Sequence, residues 1–503
     1  MVFEPEFEKI KYTCKKQLLK EQIKTECKTD VIAEDLASVL NVTAWAVITE
    51  NDLSSGQVEY GGKVMFYVSY LDNEGLLKKC ECASEFKGNI KSQDISPEYN
   101  AFVTAQVDKS SCDLSGARLV VEGYVTITAQ VTACGQAQAF TGGENVIVKK
   151  EEIPIVKSCG VKKGIFPIEE EFEINYPIQE VLSHRARAIV TAVQCGVGAI
   201  IVDGEVLLSA IMLQKNQNND IIKENKNLPF RIEIECEDAM PNMQATARAK
   251  ERSHKIDVSV DEENGKSVLS ASVSLFLEGE AFYDQTLSVA TDAFSTENDL
   301  DIVKNELPFF KAGEIRSLSA NISNRAETQE LPVGAIVLAV GGESAEIVDK
   351  RCDGDKLIVN GVVNAVVYLK EVDGKVFTRR IETPFESVMD CAFDTCVDLE
   401  VRADAYNGRA KIVSIDQIDF DAEIIFTVYP QEVGMVKVIG EVKSLDKKKV
   451  NVSPISVYIA TEGEELWSLA KRLNVCPEML VATNKDLQFP LTGKERIVIF
   501  RQK

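Results

Sequence analysis

The sequence is poor in histidine, in tryptophan and in long apolar runs. Two histidines, His184 and His254, and two tryptophans occur in 503 residues. Both histidines stand beside basic residues in polar segments, away from any nucleophile motif, so we expect them on the surface and not in a catalytic site. No apolar run approaches the length of about 18 residues that a membrane-spanning helix requires, and the sequence therefore predicts no transmembrane segment.

The chain also lacks an apolar leader and a regular cysteine framework. Its first residues, Met1-Val-Phe-Glu-Pro5, are acidic where a signal peptide would be basic and then apolar. Thirteen cysteines, an odd number at irregular spacing, suit reduced thiols in a reducing compartment. We therefore expect the protein to stay in the cytoplasm of the cell that makes it.

Basic charge is scarce, because 56 Lys and Arg stand against 79 Asp and Glu, for a net charge of −23. Residues 454–503 contain seven basic and six acidic side chains, so the excess acid lies in the first 453 residues. Such a surface repels nucleic acid and anionic lipid. It serves either solubility, as an ordinary solvated surface does, or recognition of a basic partner.

Motifs for catalysis, cofactors and metals are incomplete. Gly56-Gln-Val-Glu-Tyr-Gly61 has the glycine spacing of a P-loop, but the following lysine is out of register and no Ser or Thr comes next. Gly196-Val-Gly198 lacks the third glycine of a dinucleotide fingerprint. The pairs Cys80-Glu-Cys82 and Cys391-Ala-Phe-Asp-Thr-Cys396 have no partner pairs at zinc spacing. We expect a protein that is not an enzyme and needs no cofactor and no metal.

One pattern, in contrast, occurs three times. A glycine within a β-prone run recurs at Gly62, Gly204 and Gly361, 142 and 157 residues apart, which is the spacing of whole domains. We interpret these glycines as turns or as sites where strands approach closely. An acidic and apolar stretch follows each one. Next come a period-two strand, at residues 101–107, 243–249 and 397–403, and a last long strand, at residues 119–131, 268–277 and 418–428.

Turn signals separate these runs at Asn264-Gly265, Asp373-Gly374 and Asn407-Gly408, as hairpins require. We therefore predict a mainly β protein with three tandem β-rich repeat domains at residues 1–150, 151–312 and 313–440. A charged, flexible linker is expected at 441–453, before a small terminal domain at 454–503.

The terminal domain has a β-α-α-β pattern. Val457 and Tyr458 belong to a β-prone run that Gly463 ends, and Leu466, Leu469, Ala470 and Leu473 then follow at helical spacing. Glu464 and Glu465 are expected in the first turn of this helix, where its dipole favours negative charge. Pro477 suits the first position of a second helix, and a strand-like run closes the chain at residues 496–500.

These residues resemble the LysM family. The family's Gly-Asp-Thr-Leu turn corresponds to Gly463-Glu-Glu-Leu466, its Trp-x-Ile-Ala helix to Trp467-Ser-Leu-Ala470, its Leu-x-x-x-Asn helix to Leu480-Val-Ala-Thr-Asn484, and its closing strand to residues 493–499. Glu464 replaces the usual Asp, and the longer carboxylate is a poorer N-cap. This departure weakens the case for sugar binding but not for the fold.

The resemblance implies a groove between residues 463–466 and 485–489 that binds a partner protein or an N-acetylglucosamine polymer. The candidate binding residues are Gly463, Glu464, Glu465, Leu466, Asn484, Asp486, Leu487 and Phe489. We interpret Trp467 as a packing residue on the helix flank and not as a platform for sugar. Asn484 either ends its helix or lines the groove.

Three tandem β domains followed by a LysM domain are similar to the SipL-type spore coat proteins, whose repeats are called SPOCS domains. The resemblance implies an adaptor in spore coat assembly, in the mother-cell cytoplasm at the forespore surface. It would recruit other coat proteins through a coat morphogenetic ATPase, and its repeats are candidates for self-association.

The absence of an export signal favours a protein ligand over peptidoglycan, because the mother-cell cytosol surrounds a developing endospore. The alternative is a protein of the spore cortex or cell wall that binds peptidoglycan or N-acetylglucosamine.

Overall fold

The computed structural model describes residues 5–216, 220–261, 265–390, 397–448 and 453–500. Strands account for 78% of the described residues and helices for 4%. The predicted mainly β class is therefore confirmed. Up to Lys448 the strands form three groups, which we call the first, second and third unit.

The first unit contains six strands: β1 (Pro5–Ile32), β2 (Leu36–Ser54), β3 (Gln57–Asp72), β4 (Leu77–Lys91), β5 (Asn100–Ser115) and β6 (Arg118–Gly143). They form two antiparallel sheets of three strands, with the orders β1-β6-β5 and β2-β3-β4. The first and last strands of the unit are thus neighbours in one sheet, and the middle hairpins form the other.

The second unit repeats this order. Its strands are β7 (Val146–Ile174), β8 (Ile178–Cys195), β9 (Ala199–Gln214), β10 (Ile221–Glu235), β11 (Gln244–Asp261) and β12 (Lys266–Ser295). The sheets are β7-β12-β11 and β8-β9-β10. Each strand of the second unit therefore occupies the place of the strand six positions earlier in the chain.

The third unit differs in one respect, because its first strand is split. Its strands are β13 (Asn298–Ala312), β14 (Arg316–Glu327), β15 (Ile336–Asp353), β16 (Lys356–Lys370), β17 (Val376–Asp390), β18 (Val397–Ile412) and β19 (Gln417–Lys447). Both β13 and β14 pair with β19, as does β18, and β15, β16 and β17 form the second sheet. The interruption lies at Gly313, whose N–H donates to the Pro430 carbonyl at 2.8 Å.

Strand pairing places the third unit differently from the predicted bounds. Residues 298–312 pair with β19 and so belong to the third unit, whose start the sequence placed at 313. The last strand also continues to Lys447, into the stretch that we expected to be a flexible linker. The lysines near the end of this strand made its sequence look like a linker, although its backbone pairs with β13. The last linker residues, 449–452, lie outside the described residues.

The terminal domain contains β20 (Ile455–Ile459), α1 (Leu466–Leu473), α2 (Pro477–Thr483) and β21 (Arg496–Phe500). The two strands pair antiparallel, with Val457 opposite Val498. We call this segment the C-terminal module.

The three recurring glycines lie in the central strands β3, β9 and β16. Each faces the phenylalanine of the next strand, in the pairs Gly62 with Phe86, Gly204 with Phe230, and Gly361 with Phe385. A Cβ on any of the three would lie 2.2–2.3 Å from a carbonyl oxygen of the preceding strand and 2.4–2.6 Å from the facing ring. The preceding strand has a register shift at the same level in every unit. The interpretation as close strand approach is confirmed.

One predicted turn is wrong. Asn407 and Gly408 lie inside β18, where the register with β19 shifts between Tyr406 and Arg409. Asn407 has φ +57°, a left-handed conformation that asparagine tolerates, so the dipeptide forms a β-bulge and not a hairpin. Gly374 does occupy a tight turn, between β16 and β17, with φ +92°. Asn264 lies outside the described residues.

The outer halves of the first and last strands pair with each other alone and form a two-stranded ribbon in each unit. The three ribbons pack together through small and apolar side chains. These include Ala139 and Phe140 of the first unit, Val289 and Ala290 of the second, and Val438 and Ile439 of the third.

A second shared cluster holds the units together through the sheets that contain β2, β8 and β15. It contains Leu40, Leu71 and Leu77 of the first unit, Leu182, Ile211, Leu213 and Ile221 of the second, and Ala339, Tyr368 and Val376 of the third. The Tyr368 hydroxyl accepts a hydrogen bond from Asn41 Nδ2 at 3.0 Å, which joins the third unit to the first. We call the packed units the platform.

We expect Gly204→Ala to lower the free energy of unfolding by about 1–3 kcal/mol, since the new methyl group overlaps a backbone oxygen that cannot move away freely. Guanidinium unfolding followed by circular dichroism measures the change. Gly142→Ala is the matched control, because its Cβ would meet only the Glu6 carboxylate at 3.7 Å. Equal effects of the two substitutions would contradict the close approach.

Candidate functional site

The fold of the C-terminal module follows from a few local signals. Gly463 adopts φ +83° in the loop after β20, and Asn474 ends α1 in the left-handed conformation. Pro477 occupies the first turn of α2, as predicted. Apolar side chains from both helices and both strands then form the module's core, in which Leu469, Leu480 and Ile497 are almost fully buried.

The core of the module is completed by the platform. Phe294 of β12 belongs to the same apolar cluster and is only 3% exposed, and Ile147 of β7 packs beside it. The rings of Phe294 and Trp467 meet edge to face, with centroids 5.2 Å apart. The module therefore lies on the tip of the second unit's ribbon.

Polar contacts fix this position. Trp467 Nε1 donates to Asp292 Oδ2 at 2.8 Å, and Lys471 Nζ lies 2.7 Å from Asp292 Oδ1. A register shift in β12 between Ala290 and Asp292 marks the point from which this side chain reaches the module. Trp467 is thus a packing residue, and its packing partner is the platform.

The chain segment before the module adds a third point of attachment. Lys448 Nζ donates to the Ser295 carbonyl at 2.8 Å and to Asn474 Oδ1 at 2.9 Å. Asn474 Nδ2 in turn donates to the Thr296 carbonyl at 2.7 Å. The third unit's end, the second unit's ribbon and α1 are therefore joined in one hydrogen-bonded network.

Two opposing effects act on the pKa of Asp292. Burial alone would raise it, but the hydrogen bonds from Lys471 and Trp467 favour the carboxylate and lower the pKa below its ordinary value. The contact is consequently strongest when Asp292 is ionised.

The structure assigns Glu464 a structural role. Its carboxylate accepts hydrogen bonds from the Thr461 N–H at 2.9 Å, from the Tyr458 hydroxyl at 3.1 Å and from the Arg472 guanidinium. Glu464 lies before α1 and not in its first turn. Glu465 also lies before the helix, as its N-cap residue, and its side chain makes no capping hydrogen bond. The expectation that both carboxylates lie in the first turn is wrong, because the helix begins only at Leu466.

Asn484 is also used internally. Its Nδ2 donates to the carbonyls of Leu480 and Val498, and its Oδ1 accepts the Val498 N–H at 2.8 Å. The side chain thus joins the end of α2 to β21, because its amide bonds both the N–H and the carbonyl of Val498, as the backbone of a neighbouring strand would. Of the two roles that the sequence left open, the structure supports the one at the helix end.

The remaining predicted residues divide by burial. Leu466, Leu487 and Phe489 are half-buried and pack against the module's core. Gly463, Glu465 and Asp486 are exposed. Only these exposed residues offer freely accessible groups to a ligand.

The two predicted loops lie at one edge of the module. The Gly463 N–H donates to the Leu491 carbonyl at 2.8 Å, and the Leu491 N–H donates to the Glu464 carbonyl at 3.0 Å. The loop before α1 is therefore held directly beside the segment that follows residues 485–489.

An apolar surface that the sequence analysis did not single out lies on β20, the strand that leads into the first of these loops. Ile455, Val457 and Ile459 alternate along β20 and are 59%, 61% and 67% exposed. Phe500, which lies opposite Ile455 in the neighbouring strand, is 48% exposed. We call these four residues the apolar stripe. The period-two alternation at 455–459 was a signal that could have found it.

The prediction of surface histidines is wrong. His184 and His254 are 8% and 7% exposed, and their Nδ1 atoms lie 2.8 Å apart between the first and second units. The ring of Trp45 lies 4.3 Å from that of His254, and the Tyr67 hydroxyl lies 3.4 Å from His184 Nε2. Burial lowers the pKa of His184 to about 4. The polar neighbours in sequence gave no sign of this interface.

Among the described residues, no three His, Cys, Asp or Glu side chains are grouped so that they could hold a metal. Cys80 and Cys82 are half-buried, and burial raises the pKa of both thiols. The second cysteine pair considered in the sequence, Cys391 and Cys396, lies outside the described residues. In the described part of the chain, neither helix of the module is long or apolar enough to cross a membrane.

Comparison with known proteins gives no relative: no protein family, no curated protein and no solved structure matches this chain. The site is therefore defined by its geometry alone. The sequence analysis missed the residues that hold the module, because they lie about 175 residues before it in the chain. Asp292 and Phe294 belong to β12, and Thr296 follows directly after that strand.

We expect the docking of the module to weaken as the pH falls through the lowered pKa of Asp292, below the ordinary aspartate value of about 4. A carboxylate whose pKa is lowered by docking stabilises the docked state above its undocked pKa and loses that contribution on protonation. Trp45→Phe leaves Trp467 as the sole tryptophan, so its fluorescence reports the contact. The transition should be absent when Asp292→Asn is added, and its persistence would rule Asp292 out as the titrating group.

Proposed function

We propose that the chain is a non-enzymatic adaptor of the SipL type in spore coat assembly. In this proposal the three units are SPOCS-like repeats that form the platform, and the C-terminal module is a LysM domain. The module connects coat material to a coat morphogenetic ATPase at the forespore surface, in the mother-cell cytoplasm.

The observation that carries the proposal is the way in which the module is held. Helix α1 contacts the platform through Trp467 and Lys471, and its C-cap residue, Asn474, contacts the platform as well. The exposed parts of the two loops and the apolar stripe are left accessible. A domain that is fixed on one side and accessible on another suits a protein that joins two others.

The chemistry of the accessible side favours a protein ligand. The apolar stripe is a continuous row of large side chains, of the kind that marks interaction surfaces when it is exposed. The exposed Glu465 and Asp486 add negative charge at the two loops of the module. A partner surface with apolar and basic groups would complement both features.

Recognition of N-acetylglucosamine has less support from the geometry. Trp467 is occupied by its contact with Phe294, and Phe489 is half-buried against the module's core. Neither aromatic side chain stands open as a platform for a sugar ring. Glycan binding is therefore the alternative that a titration with N-acetylglucosamine oligomers tests.

We expect Val457→Asp in the full chain to weaken binding to the purified coat morphogenetic ATPase by at least about tenfold, because a charge in an apolar contact must be desolvated. Biolayer interferometry measures the affinity. Val348→Asp is the matched control, since Val348 is also exposed, at 72%, but lies on the third unit. Asp486→Lys and the control Asp353→Lys test the charge of the loops in the same way.

Equal binding by Val457→Asp, Asp486→Lys and the parent chain would refute the module as the docking surface. The same proteins are titrated calorimetrically with a hexamer of N-acetylglucosamine. The glycan-binding alternative would be established by two results together. The parent chain would bind the hexamer saturably but not the ATPase, and Asp486→Lys would abolish the binding of the hexamer.

A further inference from the structure

A cavity of about 450 Å³ lies where the three units meet. Its walls come from β2 and β5 of the first unit, β8 of the second, and β15, β16 and β17 of the third. This volume is within the range of pockets that bind small molecules, about 300–1,000 Å³. The cavity is remote from the module and belongs to the platform alone.

The charged side chains that line the cavity are predominantly basic. The lining contains four basic residues and only two acidic ones. The basic residues are Lys109, Arg185, Arg187 and Arg380, and the acidic ones are Asp108 and Glu382. The Asp108 carboxylate is already engaged, because it accepts hydrogen bonds from Gln22 at 2.8 Å and Thr126 at 2.7 Å. In a chain whose net charge is −23, a local excess of cations around one cavity is unusual.

The side chain of Arg185, whose backbone lies in β8 opposite Ser209, has no hydrogen bond or ion pair with any residue that the structure describes. The nearby acids are paired with other groups. Arg187 Nη1 lies 3.5 Å from Glu251 Oε2, and Arg187 Nε lies 3.4 Å from Asp404 Oδ1. Glu343 is bonded to Lys223 and accepts the Gly408 N–H at 2.9 Å. The guanidinium therefore lacks the direct partner that a desolvated charge requires.

The environment opposes the positive charge of Arg185. Burial, followed by repulsion from Arg187, lowers its pKa to about 10. The group remains protonated at neutral pH and is held in the cavity wall without a counter-charge in contact. An anion in the cavity would supply that charge and the acceptors for its planar fork of N–H donors.

The other walls indicate what kind of anion fits. Arg380 approaches from the third unit, where its Nη2 donates weakly to the Ser110 carbonyl at 3.4 Å. Asn364 and Ser344 add uncharged polar groups, while Trp45 and Ile381 add apolar surface. The combination suits an oxyanion group attached to a compact organic body.

We propose that this cavity binds a small organic oxyanion, a phosphorylated or polycarboxylated metabolite, with Arg185 as its principal contact and Arg187 and Arg380 beside it. Because the three basic residues come from two units and the first unit forms the remaining wall, the ligand bridges all three. Binding stabilises the assembled platform relative to separated units.

The test uses the full chain and measures its melting temperature with sodium pyrophosphate or trisodium citrate, against sodium chloride at equal ionic strength. We expect either anion at millimolar concentration to raise the melting temperature above the chloride control. Arg185→Gln should raise the anion concentration that gives half of the maximal rise in melting temperature by at least tenfold. Arg231→Gln should leave it unchanged, because Arg231 is exposed and pairs with Asp203 on the outside of the second unit.

A second variant keeps the proposal testable if Arg185→Gln folds poorly. Arg380→Gln removes a cation from another unit and should weaken the response as well. Arg185→Met should in addition raise the melting temperature in chloride alone, because it removes an uncompensated charge. The proposal is overturned if neither anion exceeds the chloride control, or if Arg231→Gln weakens the response as much as the cavity variants do.

Discussion

Each unit is closed by the antiparallel pairing of its first strand with its last, and the rest of the architecture depends on this pairing. In the first unit, β1 follows β6 along nearly its whole length, from Pro5 opposite Gly143 to Ile32 opposite Arg118. The inner half of the pair belongs to a three-stranded sheet, and the outer half continues as a ribbon of two strands. An isolated two-stranded ribbon is marginally stable in water. Three of them, packed through Phe140, Ala290 and Ile439, share one apolar interior and so support one another.

The surfaces between the units are more polar than the cores within them. Lys223 of the second unit pairs with Glu343 of the third, Arg187 lies between Glu251 and Asp404, and the two histidines meet at the boundary of the first and second units. Buried ion pairs contribute little net stability, because desolvation offsets their attraction, but they penalise arrangements in which either partner is left alone. These pairs therefore favour one relative arrangement of the units. Arg185 departs from this pattern, and its lack of a partner distinguishes the cavity from an ordinary polar interface.

Much of the fold could be predicted from the sequence, because strands with one buried face alternate with period two. The runs around Gly62, Gly204 and Gly361 were recognisable since a close backbone approach requires glycine wherever the unit is repeated. The pairing of residues 298–312 with β19 was not recognisable, because the sequence does not state which distant strands meet. The burial of His184 and His254 was missed for the same reason. Within the candidate site, the turn at Gly463 followed from local chemistry, whereas the internal roles of Glu464 and Asn484 depended on residues that only folding brings near.

The position of the module follows from two independent attachments. Lys448 leads out of the third unit's last strand, and Asp292 and Phe294 belong to the ribbon of the second. A tether alone would let the module rotate, and a single contact patch would let it dissociate locally. Together they fix α1 against the ribbon, so that the orientation of the apolar stripe is set by the packing of the platform. A change that separates the ribbons of the second and third units must therefore strain one of these attachments, which makes the ribbons the mechanical link between the platform and its proposed docking surface.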